Sequence, residues 1–327
     1  MRLRSIKKDT HDQDALRHHK DRFTGCTYWN EFHQEMPFFW TAEGCDVPLR
    51  GLYRGAHAFL ICNGPSFALL DKRPLQVVPS MAMNNGIAAC LPRFRPQFWT
   101  CVDDPTRFVA SAWLDPRITK IVPHAHADKG LWNSMAGAWA PLLTADGKHE
   151  VRVRDCPGVF YFHRNEKFHA DRFLWEDTIN WGNHKQWGGG RSVMLSALRI
   201  LFLLGFRHVY LLGADFTMTE DPTTWYSFGE KRGRGAVKCN SKTYCLLKDR
   251  FSEVKAHFDA AGFHVANCNA DSGLDVFPHV PYQDAIREAL GWCGGDWKNV
   301  LGERTEGMYE DPAKKRAAYE AAKRGAA

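Results

Sequence analysis

The sequence predicts an α/β fold, a mostly parallel sheet with helices on both faces, and three observations carry that expectation. Short apolar runs of strand length recur at Ala58 to Cys62, Gln76 to Val78, Phe98 to Val102, Thr119 to Val122, Val159 to Phe162, Val209 to Leu212 and Phe263 to Ala266. Helical stretches alternate with them. The two clearest, Ser192 to Leu204 and Thr243 to Ala261, each stop at a glycine followed by phenylalanine and a new apolar run. A helix ended by glycine and returned into a β-run is the second half of a crossover unit, which joins parallel strands.

Along the chain, residues 1–50 are rich in charge, histidine and aromatics without a clean period, and read as an N-terminal basic and aromatic arm. Residues 51–290 read as one Rossmann-like domain. It begins where Ala58-Phe59-Leu60-Ile61-Cys62 meets Asn63-Gly64-Pro65-Ser66 and Phe67 to Leu70, the spacing of a buried strand, a tight turn and a helix start. Residues 291–327 read as a helical tail, in which Asp311 to Ala327 is basic and alanine-rich. The 327 residues allow one large domain or two ordinary ones.

Composition narrows the class. With 44% hydrophobic and 24% charged residues the chain is neither disordered nor fibrous. The greasiest stretch, Val193 to Leu204, is interrupted by Arg199 and ends at Gly205, short of the ~20 apolar residues of a membrane span. A soluble protein is expected. The first residues, MRLRSIKKDT, lack the apolar run of a secretory signal. Ten cysteines stand singly with no C-x-x-C pair, the pattern of reduced thiols in a cytoplasm. The net charge of +6 favours an anionic partner, either a phosphate-bearing small molecule or a nucleic acid.

Ligands of open parallel sheets bind beyond the carboxyl ends of the strands, so the turns there are the candidate site. Asn63-Gly64-Pro65-Ser66 offers close backbone approach at Gly64, the Asn63 amide and the start of a helix suited to phosphate, or else a plain turn with Ser66 as cap. It is neither G-x-G-x-x-G nor a Walker loop. Met83-Asn84-Asn85-Gly86 follows the second strand. Asp103-Asp104 reads either as paired metal acids or as turn chemistry, and Asp215, in Gly213-Ala214-Asp215-Phe216, either as a functional carboxylate or as a local hydrogen-bonding one. Gly188-Gly189-Gly190-Arg191-Ser192 precedes the most apolar helix and reads either as a phosphate site, with close backbone approach at the glycines and Arg191 and Ser192 as its holders, or as a flexible connector. His124-Ala125-His126 sets two imidazoles on one face of a strand without a third ligand at a recognisable spacing. The segment from Trp225-Tyr226 through Lys231-Arg232-Gly233-Arg234 to Lys238 and Lys242 reads as a glycine-containing loop: a lid over an anionic donor, a contact for a polyanion, or a solvated loop.

Ile61 to Phe67, the Asn84 turn and Gly205 to Phe216 together resemble the bacterial sialyltransferases of the lipooligosaccharide type. They equally resemble a group common in phages and bacteria that is related to archaeal 6-hydroxymethylpterin diphosphokinase. The resemblance covers roughly residues 57–290 and implies a variant GT-A-like fold. From the sialyltransferases it implies that Asn63, Gly64, Pro65, Ser66, Asn84 and Asp104 surround a cytidine nucleotide, joined by Gly190, Arg191, Ser192 and Gly213. Trp225 and Tyr226 are the nearest counterparts of the tyrosines that hold the phosphate. It also implies transfer with inversion and without a metal. The general-base histidine of those enzymes has no counterpart at Lys238 to Lys242, and Asp104 stands where they carry asparagine.

The expected activity is therefore that of a glycosyltransferase-like enzyme moving a sugar from a nucleotide-activated, CMP-sugar-like donor to an acceptor hydroxyl on a glycan or on modified phage DNA. Asp215, with Asp104 as substitute, is the expected base, and no cofactor or metal is required. Two alternatives stand beside it. A pterin-type diphosphokinase would use ATP and Mg²⁺ with Asp103, Asp104 and Asp215 as ligands, and a non-catalytic protein would keep only the nucleotide pocket.

Overall fold

Seven contiguous parallel strands, starting from one edge, make up most of a nine-stranded mixed sheet in a computed structural model that describes residues 38–135, 138–165, 168–175, 179–180, 192–218 and 235–292. In chain order the strands and helices are β1 (Phe39–Trp40), β2 (Asp46–Val47), β3 (His57–Ile61), β4 (Ser80–Met83), α1 (Gly86–Cys90), β5 (Phe98–Thr100), α2 (Ala110–Leu114), β6 (Thr119–Pro123), β7 (Trp132–Met135), β8 (Ala138–Pro141), β9 (Val159–Phe162), β10 (Arg164–Asn165), β11 (Ile179–Asn180), α3 (Val193–Leu204), β12 (His208–Leu212), α4 (Gly235–Ala260), β13 (His264–Asn267) and α5 (Tyr282–Trp292). The main sheet runs β13-β12-β3-β4-β5-β6-β9-β1-β2, with β1 antiparallel to both its neighbours. The pairs β7-β8 and β10-β11 stand apart.

The strands read as unbroken apolar runs because both faces of the sheet are covered. Side chains alternate along a strand, so Ala58, Leu60 and Cys62 of the β3 segment join the core with α3 and α4, while Phe59 and Ile61 face α1, α2 and α5. Three layers result. Helix α3 is buried at every position, Arg199 included. Its last carbonyls accept from the loop before β3: Gly51 and Tyr53 donate to Leu203 and Leu204 at 2.9 and 2.8 Å. Gly205 ends the helix at φ 105°, with the backbone of Tyr53 and Arg54 about 3.0 Å from where a Cβ would sit.

Several boundaries differ from the sequence reading. Gln76 to Val78 is not a strand: Pro74–Gln76 is a 3-10 turn and the strand is Ser80–Met83. A proline-initiated turn outweighed the Val77-Val78 pair. Residues 38–50, read as part of the arm, belong to the sheet, where Phe38, Phe39 and Trp40 are buried. Helix α4 starts eight residues earlier than Thr243, because its first turns are polar on their solvent side. His124–His126 is a 3-10 turn after β6 in which the His124 ring packs near Tyr161 and His163. The rest of the arm, residues 1–37, and residues 293–327 of the tail lie outside the described residues. The described cysteines are free thiols, and no helix among the described residues is long and apolar enough to cross a membrane.

Candidate functional site

From β3 the chain builds β4, β5, β6 and β9 to one side, then returns across β3 to lay down β12 and β13 on the other. The carboxyl ends of β3 and β12 thus flank the point where strand order reverses, the place at which open α/β sheets bind ligands. A cavity of about 220 Å³ lies there. Its walls come from the turns after β3, β4, β5 and β12 and from the first turns of α3 and α4.

Asn63, Gly64, Asn84 and Gly213 converge in these walls, as does Ser192 at the start of α3. Cys62 and Gly64 donate to Leu212 and Gly213 at 2.8 Å, which carries the β3-β12 ladder past the strand ends. Gly64 owes its lack of a side chain to Asp215. A Cβ there would lie 2.5 Å from the Asp215 Oδ2 and from the Gly213 carbonyl. Close approach at Gly64 is made by the protein's own carboxylate.

Asp215 lines the cavity, but its oxygens are engaged. Oδ2 accepts the Ser66 N–H at 2.9 Å, and Oδ1 accepts both the Ser66 hydroxyl and the Asn269 amide, the latter at 2.9 Å. Through these bonds the carboxylate ties together the turns after β3, β12 and β13. The expected phosphate position at the start of the 3-10 turn Pro65–Leu69 is therefore filled by Asp215, and neither Pro65 nor Ser66 is part of the cavity wall. As a base, Asp215 would have to release donors it already holds.

Asp104 is likewise displaced from its expected role. Its carboxylate caps the turn Pro105–Arg107 by accepting from the Thr106 N–H at 3.0 Å and hydroxyl at 2.8 Å, outside the cavity wall. Asp103 faces the cavity instead, and its Oδ2 accepts from the Asn84 Nδ2 at 3.3 Å. With Asp104 turned away and Asp215 clamped, the trio Asp103, Asp104 and Asp215 does not assemble as metal ligands. Among the described residues no group of three or more His, Cys, Asp or Glu side chains is placed to hold a metal.

Two residues of the wall adopt backbone conformations that only glycine takes freely. Asn84 has φ 45° and Phe216 φ 52°, and they are the two positive-φ residues other than glycine among those described. Strained residues of this kind cluster at ligand sites, where the surroundings hold them. Asn84 is held by its N–H to Thr100 O at 2.9 Å and by the Trp99 Nε1 donating to its carbonyl at 2.9 Å. Phe216 is held by Gly273, whose N–H donates to Asp215 O at 2.7 Å, and its ring packs on Tyr244 at 4.8 Å.

The cavity has two electrically different ends. Ser192, Val193 and Met194 present the N-terminus of the twelve-residue α3, where the helix dipole favours an anion, although the Ser192 hydroxyl oxygen caps the helix by accepting the Met194 N–H at 3.1 Å. Opposite in character is the Asp103 carboxylate; Asn63 and Asn84 line the same wall, but their amide oxygens are enclosed within the protein and have no hydrogen-bond partner. The floor carries Cys62, whose thiol is pushed well above its ordinary range by burial and the nearby Asp215 carboxylate, which makes it a poor nucleophile.

Comparison of the chain with protein-family models, curated proteins and solved structures finds no match. The site is therefore read from its own geometry.

Asn240, Thr243, Tyr244 and Leu247 of α4 complete the wall. The sequence reading missed them, although their i, i+3, i+4, i+7 spacing was the available signal. Lys238 and Lys242 occupy the other side of α4 and are exposed, so they are not a lid over the cavity. Gly190, Arg191, Trp225, Tyr226 and Lys231 to Arg234 lie outside the described residues.

Proposed function

We propose that the protein is a transferase with a Rossmann-like, variant GT-A-like fold that binds a nucleotide-activated sugar at the switch point and passes the sugar to an acceptor hydroxyl. The observation that carries this reading is the mixed cavity lining: an anion-favouring helix start, and in the same cavity the Asp103 carboxylate with the Asn63 and Asn84 side chains. A nucleotide sugar has the matching halves, a phosphate and a set of hydroxyl donors. The resemblance of Ile61 to Phe67 and Gly205 to Phe216 to the sialyltransferases supports the same reading.

In this scheme the α3 N-terminus holds the leaving phosphate, whose charge grows as the sugar departs, without reorganising. Phe216 and Tyr244 supply an apolar face for a ring, and Asp215 keeps the three turns in place. The described walls hold no Lys, Arg or His, so in this scheme the phosphate is met by the α3 dipole, with the Ser192 cap giving way to it. The acceptor, a glycan or DNA, is the outer partner in this scheme.

The test is a thermal-shift screen against CMP-, UDP-, GDP- and ADP-linked sugars followed by product analysis, since a ligand that binds only the folded state raises its melting temperature. A shift with one nucleotide series and transfer to an added acceptor is the expected result. No shift with any series sinks the reading. A shift without product in any acceptor mixture marks a binding protein, and turnover abolished by EDTA favours pyrophosphoryl transfer.

A further inference from the structure

We infer that the turn after β13, through Ser272 and Gly273, sets the preference of the site for a nucleobase by holding Phe216 against Tyr244. The inference rests on the proposed nucleotide site and adds to it the positioning residues for the ring. Neither Ser272 nor Gly273 lines the cavity, whereas Phe216 and Tyr244 both do. They act from behind.

The Ser272 hydroxyl donates to the Ala214 carbonyl and lies 3.2 Å from that of Asp215, which also accepts the Gly273 N–H at 2.7 Å. The Asn267 Nδ2 gives the Ala214 carbonyl a second bond at 3.2 Å. The peptide plane before Phe216 is thereby fixed. On the far side of that residue, a Cβ at position 273 would lie 2.7 Å from the Phe216 carbonyl oxygen, so only glycine lets the two turns press together. Both planes that define the Phe216 backbone are set by the β13 turn, which keeps a phenylalanine at φ 52°.

That backbone aims the ring. Phe216 lies 4.8 Å from Tyr244 at an interplanar angle of 30° and 6.1 Å from Phe251, so the β12 turn and α4 together present an aromatic surface in the cavity wall. A planar π-system gains from such a surface by stacking. Of the parts of a nucleotide sugar, the base alone has that character. The phosphate is assigned to the α3 start, so loosening the β13 turn should cost ring recognition and spare phosphate binding.

Calorimetric titration of the full-length protein tests this with CMP, UMP, GMP and AMP, each set against ribose 5-phosphate, which carries the sugar and phosphate without a base. Ribose 5-phosphate is measured by competition with the preferred nucleotide. Wild type is expected to prefer one nucleotide over ribose 5-phosphate by about ten-fold or more, the effect of one stacked base. Ser272→Ala is expected to reduce that preference to within about two-fold while ribose 5-phosphate binds as to wild type, and Ser272→Thr, which keeps the hydroxyl, retains the preference. Thermal melts verify that the variants fold. Gly273→Ala, which pushes on Phe216 without removing a donor, is expected to act as Ser272→Ala does and is decisive should that variant melt early. The inference is overturned if the folded variants keep the wild-type preference, if both ligands weaken together, or if wild type itself shows no preference. Failure of wild type to bind any probe overturns instead the nucleotide reading on which it rests.

Discussion

Ser66 gives both its backbone N–H and its hydroxyl to the carboxylate of Asp215, 149 residues further along the chain. This one contact closes the turn after β3 onto the turn after β12. It also explains why glycine stands at position 64 and why the helix-like start there is closed to an outside anion.

Asp215→Ala removes the acceptor for the Ser66 N–H, the Ser66 hydroxyl and the Asn269 amide at a residue only 6% exposed. Unpaired donors in such a place cost stability, and a loss of about 3 kcal/mol is expected. Urea denaturation followed by circular dichroism measures it. A variant as stable as wild type would show that the clamp is unimportant.

Gly64→Ala places a methyl group 2.5 Å from both the Gly213 carbonyl and the Asp215 Oδ2, neither of them the end of a flexible chain. The turns must part, at an expected cost of about 1–3 kcal/mol. Ligand affinity should fall with it, because Asn63 moves with the turn. Denaturation midpoints and nucleotide titration on one preparation check both effects.

Asn84 separates strain from recognition. Asn84→Gly accepts φ 45° freely and is expected to stay within about 1 kcal/mol of wild type. It deletes the enclosed Oδ1 and the bond to Asp103, so nucleotide affinity should drop while stability holds. Asn84→Ala is expected to be less stable than Asn84→Gly by about 1 kcal/mol, since alanine tolerates the left-handed region poorly. Paired thermal melts and titrations would reveal a reversed order.

Far from the cavity, His57, His208 and His264 stack across β3, β12 and β13, with ring centroids 4.3 and 5.1 Å apart. Burial, and then the charge of His208, hold the His57 pKa down at about 4, with Glu288 opposing; burial and the charge of His264 lower that of His208. The His57 Nδ1 lies 3.0 Å from the Tyr210 hydroxyl, which donates to Glu288. An imidazole whose folded pKa is depressed leaves the unfolded chain binding more protons between the two values. Its contribution to stability is thus intact above pH 6.5, the ordinary value, and is lost as the pH falls from there to about 4. Denaturation midpoints at pH 7.5, 6 and 4.5 should decline, and His57→Phe, which keeps a ring in the stack, should flatten the decline. An unchanged slope in that variant would assign the acid sensitivity elsewhere.

Much of the frame was legible in the chain itself. Val159 to Phe162 was read to the residue, and β3, β6, β12 and β13 to within a residue or two, because strands buried on both faces leave continuous apolar runs between turn residues. The glycine stops of α3 and α4 were equally plain. Ser80 to Met83 was not, since serine and three small or flexible residues carry little strand signature, and its place was set by pairing between β3 and β5. The two-residue strands β1 and β2 have no period to read.

By itself the sequence determined the layered α/β class and the turns that meet, because apolar periodicity and glycine placement are local and survive without knowledge of neighbours. The tertiary structure alone decided which side chain of each turn faces the cavity: Asp103 and not Asp104, the amide of Asn84, and an Asp215 already occupied by Ser66. The physical reason is that distant hydrogen-bond partners choose the Asp103, Asn84 and Asp215 orientations, 19 residues apart for Asn84 and Asp103 and 149 for Ser66 and Asp215, while only the turning of Asp104 onto Thr106 is local.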